Sequence, residues 1–400
     1  MAVVVVTTIA TKLEPPTNQL SFREGAGSHG ASVCQSELDC GLNGDCTDGA
    51  CVCDAAWTGR TCTELNLVPL APEAVGSGAY RHDSRTSWGA NVLYSEEDGQ
   101  YHMFVAEMMG NCTLTSWIPN SQITHAVAER PEGPFTYKEK LFDTFHHNPR
   151  LTRDPQTGDY LLFMIGGDME GTAPTCENLP DSVGETYDTR ILVSTAKSLL
   201  GPWSEPAGPL LEQGAVSAWD YVVTNPSPII LENGTTYLYY RGTPKYWTDD
   251  DGGAGEGPYG DVGKGAPMDL PESVGLAIAP HYTGPYTKAF SQPILSVMNE
   301  DPFAWKDDRG FHLLTHGRDD WWNTHYSYSA DGLYWSSGAD VACDPNITTT
   351  DGSVAKFTNR ERPQIFFNET TGKPAILFNG VCPGAKYTYA YTMAQFINQN

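Results

Sequence analysis

A hairpin pattern recurs five times along this 400-residue chain. Each copy opens at a corner, runs through apolar residues, crosses a Gly-containing turn and returns as an aromatic run. The copies begin at Asn91 (ANVLYSEEDGQYHMFVAEM), Asn148 (NPRLTRDPQTGDYLLFMIGG), Asn225 (NPSPIILENGTTYLYYRG), Asp301 (DPFAWKDDRGFHLLTHG) and Arg362 (RPQIFFNETTGKPAILFNG). Short runs rich in Ile, Phe, Tyr and Leu around such turns signal β-hairpins, since these residues suit a pleated, half-buried surface and Gly supplies the turn's positive φ. A third strand follows, often ending in a Gly-Pro-aromatic corner, as in ITHAVAERPEGPF, RILVSTAKSLLGPW and VGLAIAPHYTGPY, whereas the fourth copy ends in HYSYSADGLYW. A period of roughly 60 to 75 residues is what a four-stranded propeller blade with long loops occupies. The expected fold is all-β: a five-bladed β-propeller over residues 68–400, with almost no helix.

Composition narrows the partners. Aromatics make up 11% of the chain, with 20 Tyr and 10 Trp, enough for a large core. The formal net charge of -25 opposes nucleic acid and anionic membrane surfaces, which require clustered Lys and Arg. No apolar run approaches the roughly 20 residues of a membrane-spanning helix. No nucleic-acid partner and no membrane insertion are therefore expected.

Six of the 10 cysteines lie between Cys34 and Cys62, and the others are Cys112, Cys176, Cys343 and Cys382. An even count with one dense cluster points to disulfides in an oxidising compartment. Sequons at Asn111, Asn233, Asn346 and Asn368, each in an expected turn or loop, agree with secretion and mark glycosylation candidates. The opening MAVVVVTTIA lacks a basic flank and a clear cleavage site, so it is a poor signal peptide. Either a signal lies upstream or it has been removed, or, on a third reading, Val3 to Thr8, rich in β-branched residues, form a strand that closes the ring. Residues 1–33 comprise that strand and a Pro-, Gly- and Ser-containing linker.

Residues 34–62 carry Cys51-x-Cys53, then eight residues, then Cys62. This stretch resembles an epidermal-growth-factor-like (EGF-like) module, with every half-cystine of that pattern present. Spacing alone leaves 15 connectivities open. The resemblance implies Cys34–Cys46, Cys40–Cys51 and Cys53–Cys62. Such a module is either a cap on the larger domain or a contact point for another extracellular protein. Cys112 and Cys176, in equivalent loops of neighbouring blades, are expected to pair, as are Cys343 and Cys382.

In a propeller the innermost strand of each blade lines the axial channel, and its start shares a face with the end of the second strand. Polar residues accumulate at those positions. The inner-strand set is Trp88, Asn91, His147, Asn148, Asn225, Glu300, Asp301, Glu361 and Arg362; the second-strand set is Glu107, Asp168, Arg241, His316 and Arg318. Asn120, Gln122 and Arg190 stand at third-strand starts. Together they describe a polar funnel. The two histidines suit hydrogen bonds to hydroxyl groups, Trp88 and one of Trp321 and Trp322 suit stacking on a ring, and the arginines suit an anionic group such as a carboxylate, sulfate or phosphate.

Glu300-Asp-Pro-Phe, Asn225-Pro-Ser-Pro and the Gly-Pro-Phe corners make residues 75–395 similar to the five-bladed β-propeller glycoside hydrolases, the clan of families 43 and 32. The resemblance implies an acid at Glu300. It also implies Asp residues at the corners of blades one and three, where this chain has Asn91 and Asn225, and neutral amides cannot activate water. A second carboxylate is then expected from Glu361 or Glu107. The expected function is a secreted glycoside hydrolase acting on a polysaccharide or oligosaccharide by carboxylate acid/base catalysis, with phosphorolysis as a variant. The alternative is a non-catalytic glycan-binding or cell-surface protein on the same scaffold. No cofactor is required; calcium is left open, at Asp249 to Asp251 in the Gly-rich loop between Pro244 and Pro271.

Overall fold

The computed structural model describes residues 33–110, 112–167, 176, 189–215, 217–244, 272–317, 323–385 and 388–400, with the backbone of 256–257 and 260–261. Asn111, Asp168, Arg318, Trp321, Trp322, Asp249 to Asp251 and the expected strand Val3 to Thr8 lie outside the described residues.

Five antiparallel sheets follow one another along the chain. Blade one comprises Thr86–Ser95, Gln100–Met108, Ser121–Ala128 and Thr136–Phe142; blade two comprises His146–Arg153, Tyr160–Gly166 and Arg190–Ala196. Blade three comprises Val222–Ile230, Thr236–Thr243, Ser273–Ala279 and Thr287–Lys288, and blade four Asn299–Lys306, Phe311–Gly317, Thr324–Ser329 and Asp340–Cys343. Asn359–Phe367, Pro374–Cys382 and Tyr391–Phe396 make blade five. The inner strands and second strands are buried along most of their length, which is why they read as near-continuous apolar runs. The ring closes between blades five and one. The segment just after the cysteine-rich module covers the outer edge of blade five: Val68 N–H donates to Phe396 O at 2.9 Å, Asn398 N–H to Asn66 O at 2.8 Å and Ala79 N–H to Thr392 O at 2.8 Å.

Each inner strand carries the same β-bulge. Pairing with the second strand runs to Trp88↔Ala106, His147↔Ile165, Thr224↔Arg241, Glu300↔His316 and Glu361↔Gly380, then resumes three residues on against a partner two residues back. The extra residue adopts positive φ in all five blades: Gly89 at 67°, Asn148 at 54°, Asn225 at 49°, Asp301 at 56° and Arg362 at 58°. Asn, Asp and Gly tolerate this region, because a short polar side chain or none avoids the Cβ clash. Blade one's corner is therefore Gly89, two residues before the expected Asn91; the Asn-Pro signal that marks other blades is missing there.

The corner side chains bond to one another around the axis. Asn148 Nδ2 donates to Asn225 Oδ1 at 2.5 Å, Asn225 Nδ2 to Asp301 Oδ1 at 2.7 Å, and Arg362 to Asp301 Oδ1 at 2.8 Å. Gly89 completes the circle by absence: a Cβ there would stand 3.3 Å from Arg362 Nε. An arginine in the left-handed region carries strain of order 1–3 kcal/mol, and the ion pair with Asp301 holds it.

The cysteine-rich module docks on blades four and five. Cys34, Cys40, Leu42, Trp57 and Leu65 share one core with Phe303, Leu314, Tyr326, Ile365 and Leu377. Trp57 lies 4.6 Å from the Tyr326 ring, whose hydroxyl donates to Gly41 O at 2.7 Å, and Arg309 pairs with Asp45 at 3.1 Å. Disulfides Cys34–Cys46, Cys40–Cys51, Cys53–Cys62 and Cys112–Cys176 are formed. The expected Cys343–Cys382 bridge is not. Cys382 packs with Trp88 and Cys112 between blades five and one, whereas Cys343 faces the core beneath the module.

Candidate active site

The residue before each corner lies on the funnel side of the ring. In blades four and five that residue is Glu300 and Glu361, both nearly buried at 7% and 4% exposure. Register places His316 opposite Glu300, and the corner places Asp301 beside it. One donor atom from each of Glu300, Asp301, His316 and Glu361 lies within 4.8 Å of the other three. Among the described residues, no other group of His and carboxylates converges so closely outside the cysteine-rich module. That closeness also suits a cation, but three partners already supply positive charge or hydrogen bonds. Arg241 Nε stands 3.1 Å from Glu300 Oε2, Arg362 binds Asp301, and Asn359 Nδ2 donates to Glu361 Oε1 at 2.6 Å. His316 bridges the pair, with Nε2 3.3 Å from Glu300 Oε1 and Nδ1 3.2 Å from Asp301 Oδ2.

Three carboxylates this close cannot all ionise against two guanidinium groups without a proton. Glu361 is one carboxyl whose hold on a proton is strengthened. Burial raises its pKa to about 7, with Glu300 and Asp301 adding to the rise and His316 and Asn359 opposing it. His316 is itself raised: burial favours its neutral form, but Glu361, Glu300 and Asp301 outweigh that. Glu361 and His316, each raised above its ordinary value, therefore titrate as a pair.

Folding stability records this. The native state holds a proton on Glu361 that the unfolded chain, with a carboxyl near 4.5, releases first. The stabilisation is complete below about pH 4.5 and is lost as pH rises through about 7, an effect on the order of 3 kcal/mol for this shift. Glu361→Gln, which mimics the protonated acid, should match the parent near pH 4 and be the more stable protein above pH 7. Denaturant midpoints measured across that range check this; parallel profiles for the two proteins would refute the assignment.

The remaining sequence candidates separate. Glu107 stays out of the cluster: at 1% exposure its carboxylate accepts from Tyr80 at 3.1 Å, Gln122 at 3.2 Å and Thr124 at 2.9 Å, and pairs with Arg85 at 3.5 Å. These bonds explain Gln122 too and make both residues structural. Trp88 packs over Gly380, where any side chain would overlap its ring, and is 4% exposed, leaving no face for a sugar. Asn91 sits below the corner ring, where it donates to Pro149 O and accepts from Arg150 and Leu151. Asn148, Asn225, Asp301 and Arg362 form the funnel's floor through the bonds that join them.

His147 belongs to the funnel wall. Its Nδ1 lies 2.6 Å from Ser121 Oγ and its ring 4.9 Å from Trp117, while burial, with Arg362 nearby, holds its pKa well below the ordinary value. Asn120 is buried at the preceding turn, its carbonyl accepting from Met109 N–H at 3.3 Å, and Arg190, half-buried, starts blade two's third strand opposite Gly166.

Glu272 is the residue that the sequence reading missed. It is fully buried in direct contact with Arg241, which thus links it to Glu300. Its signal was available: it stands just before blade three's third strand, the position that singled out Asn120 in blade one.

Comparison with known proteins agrees with this architecture. Residues 37–65 match the family described as a Teneurin-like EGF domain. No curated protein matches the sequence. Among solved structures, a family 117 glycoside hydrolase from the marine bacterium Zobellia galactanivorans superposes with a TM-score of 0.54 at 15% identity, over 86% of this chain and 91% of its own. The catalytic domain of a GH62 α-L-arabinofuranosidase from Coprinopsis cinerea gives 0.52 at 13% identity, over 83% and 95%. An α-L-arabinofuranosidase of Podospora anserina, solved with cellotriose, gives 0.50 at 11% identity, over 84% and 96%. At such identities the likeness establishes a shared fold.

Proposed function

We propose that the protein is a glycoside hydrolase acting on a polysaccharide or oligosaccharide, with Glu361 as the proton donor and Glu300 as its partner carboxylate. The observation that carries this reading is the buried Glu300–Glu361 pair at the funnel floor, whose donor atoms lie within 4.8 Å. A separation of about 5–5.5 Å suits a retaining mechanism, whereas an inverting one needs about 6.5–9.5 Å to seat a water between the carboxyl groups. The corner of blade one, Gly89, has no side chain to act as a separate base. Glu300 attacks the anomeric carbon as Glu361 transfers its proton to the departing glycosidic oxygen. Glu361, then ionised, takes a proton from water, which attacks the glycosyl–Glu300 ester and releases the sugar with its configuration retained.

Arg241 orients Glu300, and Arg362 pairs with Asp301 beside it. Four disulfides and the EGF-like module favour an extracellular protein. Glycosylation at exposed Asn233 and at half-buried Asn346 and Asn368 belongs to the same proposal. So does a partner for the module's outward side, where Val52 is 58% exposed. Among the described residues, no helix is long and apolar enough to cross a membrane. No metal is assigned a role.

A panel of aryl glycosides and plant or algal polysaccharides, with and without phosphate, tests the reading. The first product observed by NMR should carry the substrate's anomeric configuration; an inverted product would remove the Glu300–Glu361 assignment. Saturable glycan binding with no turnover across the panel would favour the non-catalytic alternative, to which Gly89 and the buried Trp88 lend support because they leave blade one without a polar group at its corner.

A further inference from the structure

The corner ring divides the axial channel, and its far half holds a charge that the funnel chemistry does not use. Arg150, on the inner strand of blade two, reaches across the axis to blade four, where one terminal nitrogen donates to Ala304 O at 3.1 Å. The other donates to Asn91 Oδ1 at 3.1 Å, and the guanidinium lies 4.0 Å over the Phe303 ring. Its Nε has no acceptor, and among the described residues no carboxylate lies within ion-pair distance of it. Burial alone lowers its pKa, to about 9, with no neighbouring charge supporting the cation. A half-buried guanidinium with two neutral acceptors, an unpaired Nε and no carboxylate partner is left with donors to spare.

A cavity of about 590 Å³ adjoins it. The cavity opens on the face opposite the funnel, and Glu96, Glu97, Glu369, Arg153 and Lys197 line it. Its walls include Tyr94, Tyr160 and Phe366, and Gln364 contributes an amide whose Oε1 is also without a partner. Such a volume is that of a small-ligand site rather than of a bare ion.

We propose that this cavity binds an anionic solute, its carboxylate or sulfate group held by Arg150 and its body against the aromatic walls. A planar guanidinium matches an oxyanion through two parallel N–H donors, and Arg150 retains one unused hydrogen on each terminal nitrogen in addition to Nε–H. The site shares no residue with the Glu300–Glu361 cluster and does not rest on the hydrolase reading.

Titration calorimetry on the full chain, at constant ionic strength, with sodium glucuronate, sulfate, chloride and uncharged glucose tests it. Glucuronate should bind saturably and raise Tm, and glucose should do neither. Arg150→Met should abolish binding yet fold at least as stably in anion-free buffer, since it removes an uncompensated charge. Arg150→Lys should retain binding weakened by about tenfold or more, having lost the planar fork. Glu361→Gln should bind as the parent does. Saturation by sulfate or chloride without preference for glucuronate, still dependent on Arg150, would support the site and identify its occupant as an inorganic ion. No saturable binding by any of the three anions, undiminished binding in Arg150→Met, or loss in Glu361→Gln with retention in Arg150→Met would overturn the proposal.

Discussion

Replacing Glu361 by Gln is expected to lower kcat for a glycoside with a poor leaving group by about 10²–10⁴-fold, the ordinary contribution of a positioned general acid. The amide keeps the size and the hydrogen bond from Asn359 but has no proton to give. An activated aryl glycoside, whose leaving group departs without protonation, should be spared much of that loss in the first step. Glu300→Gln should instead eliminate turnover of both substrates, because the nucleophile is needed whatever leaves. Above about pH 7 the parent's kcat/KM should fall as Glu361 loses its proton, and the variant's residual rate should lack that limb. Glu107→Gln, by contrast, should change stability and leave this pH limb in place. Equal losses on both substrates for Glu300→Gln and Glu361→Gln would merge the two roles and refute the division between acid and nucleophile.

Trp57→Ala is expected to cost about 3–5 kcal/mol, the range for removing a buried aromatic, and to do so in the unfolding of the propeller rather than of the module alone. The side chain is nearly buried and rests on Tyr326 of blade four, within a core that includes Phe303 of that blade's inner strand. Tyr326 in turn donates to the module's Gly41 carbonyl and meets His312 Nδ1 at 2.6 Å. A cap joined in this way melts with what it covers. Guanidinium denaturation followed by Trp fluorescence and by far-ultraviolet circular dichroism should shift together to lower midpoints. A tip joined by a passive linker would leave the circular-dichroism transition of the propeller in place, and that result would return the module to the role of an independent contact domain.

The two expectations differ in how much of their basis was visible beforehand. That Glu300 and Glu361 stand together on the funnel side was legible because each precedes a corner whose spacing repeats, but the sequence reading made Glu300 the acid, the role that the proposal gives to Glu361. Glu107 carried the same local signal and failed. A carboxylate at the end of a second strand can turn toward the channel or toward its own sheet, and only the partners Tyr80, Thr124, Gln122 and Arg85 decide which. The same limit applied to Trp88: a Trp at a strand end suits sugar stacking or core packing, and Gly380, some 290 residues away in sequence, made it core.

Periodicity and turn chemistry are local properties, and from them the amino-acid sequence by itself determined the five hairpins, the ring they form and the polar character of one face, while the three bridges of the module followed from its resemblance to an EGF-like pattern and not from cysteine spacing. Such local properties act within a few residues, so one chain suffices to read them. The tertiary structure alone decided what those polar groups do. Closure of the ring brought corners 60 or more residues apart to one axis, where Asn148, Asn225, Asp301 and Arg362 became a hydrogen-bonded floor instead of separate sugar contacts. It set Glu300, Asp301, His316 and Glu361 close enough that one of them must keep a proton. It also left Arg150 across the axis with no counter-charge. Charge interactions depend on distance and burial, and neither exists until the blades have closed.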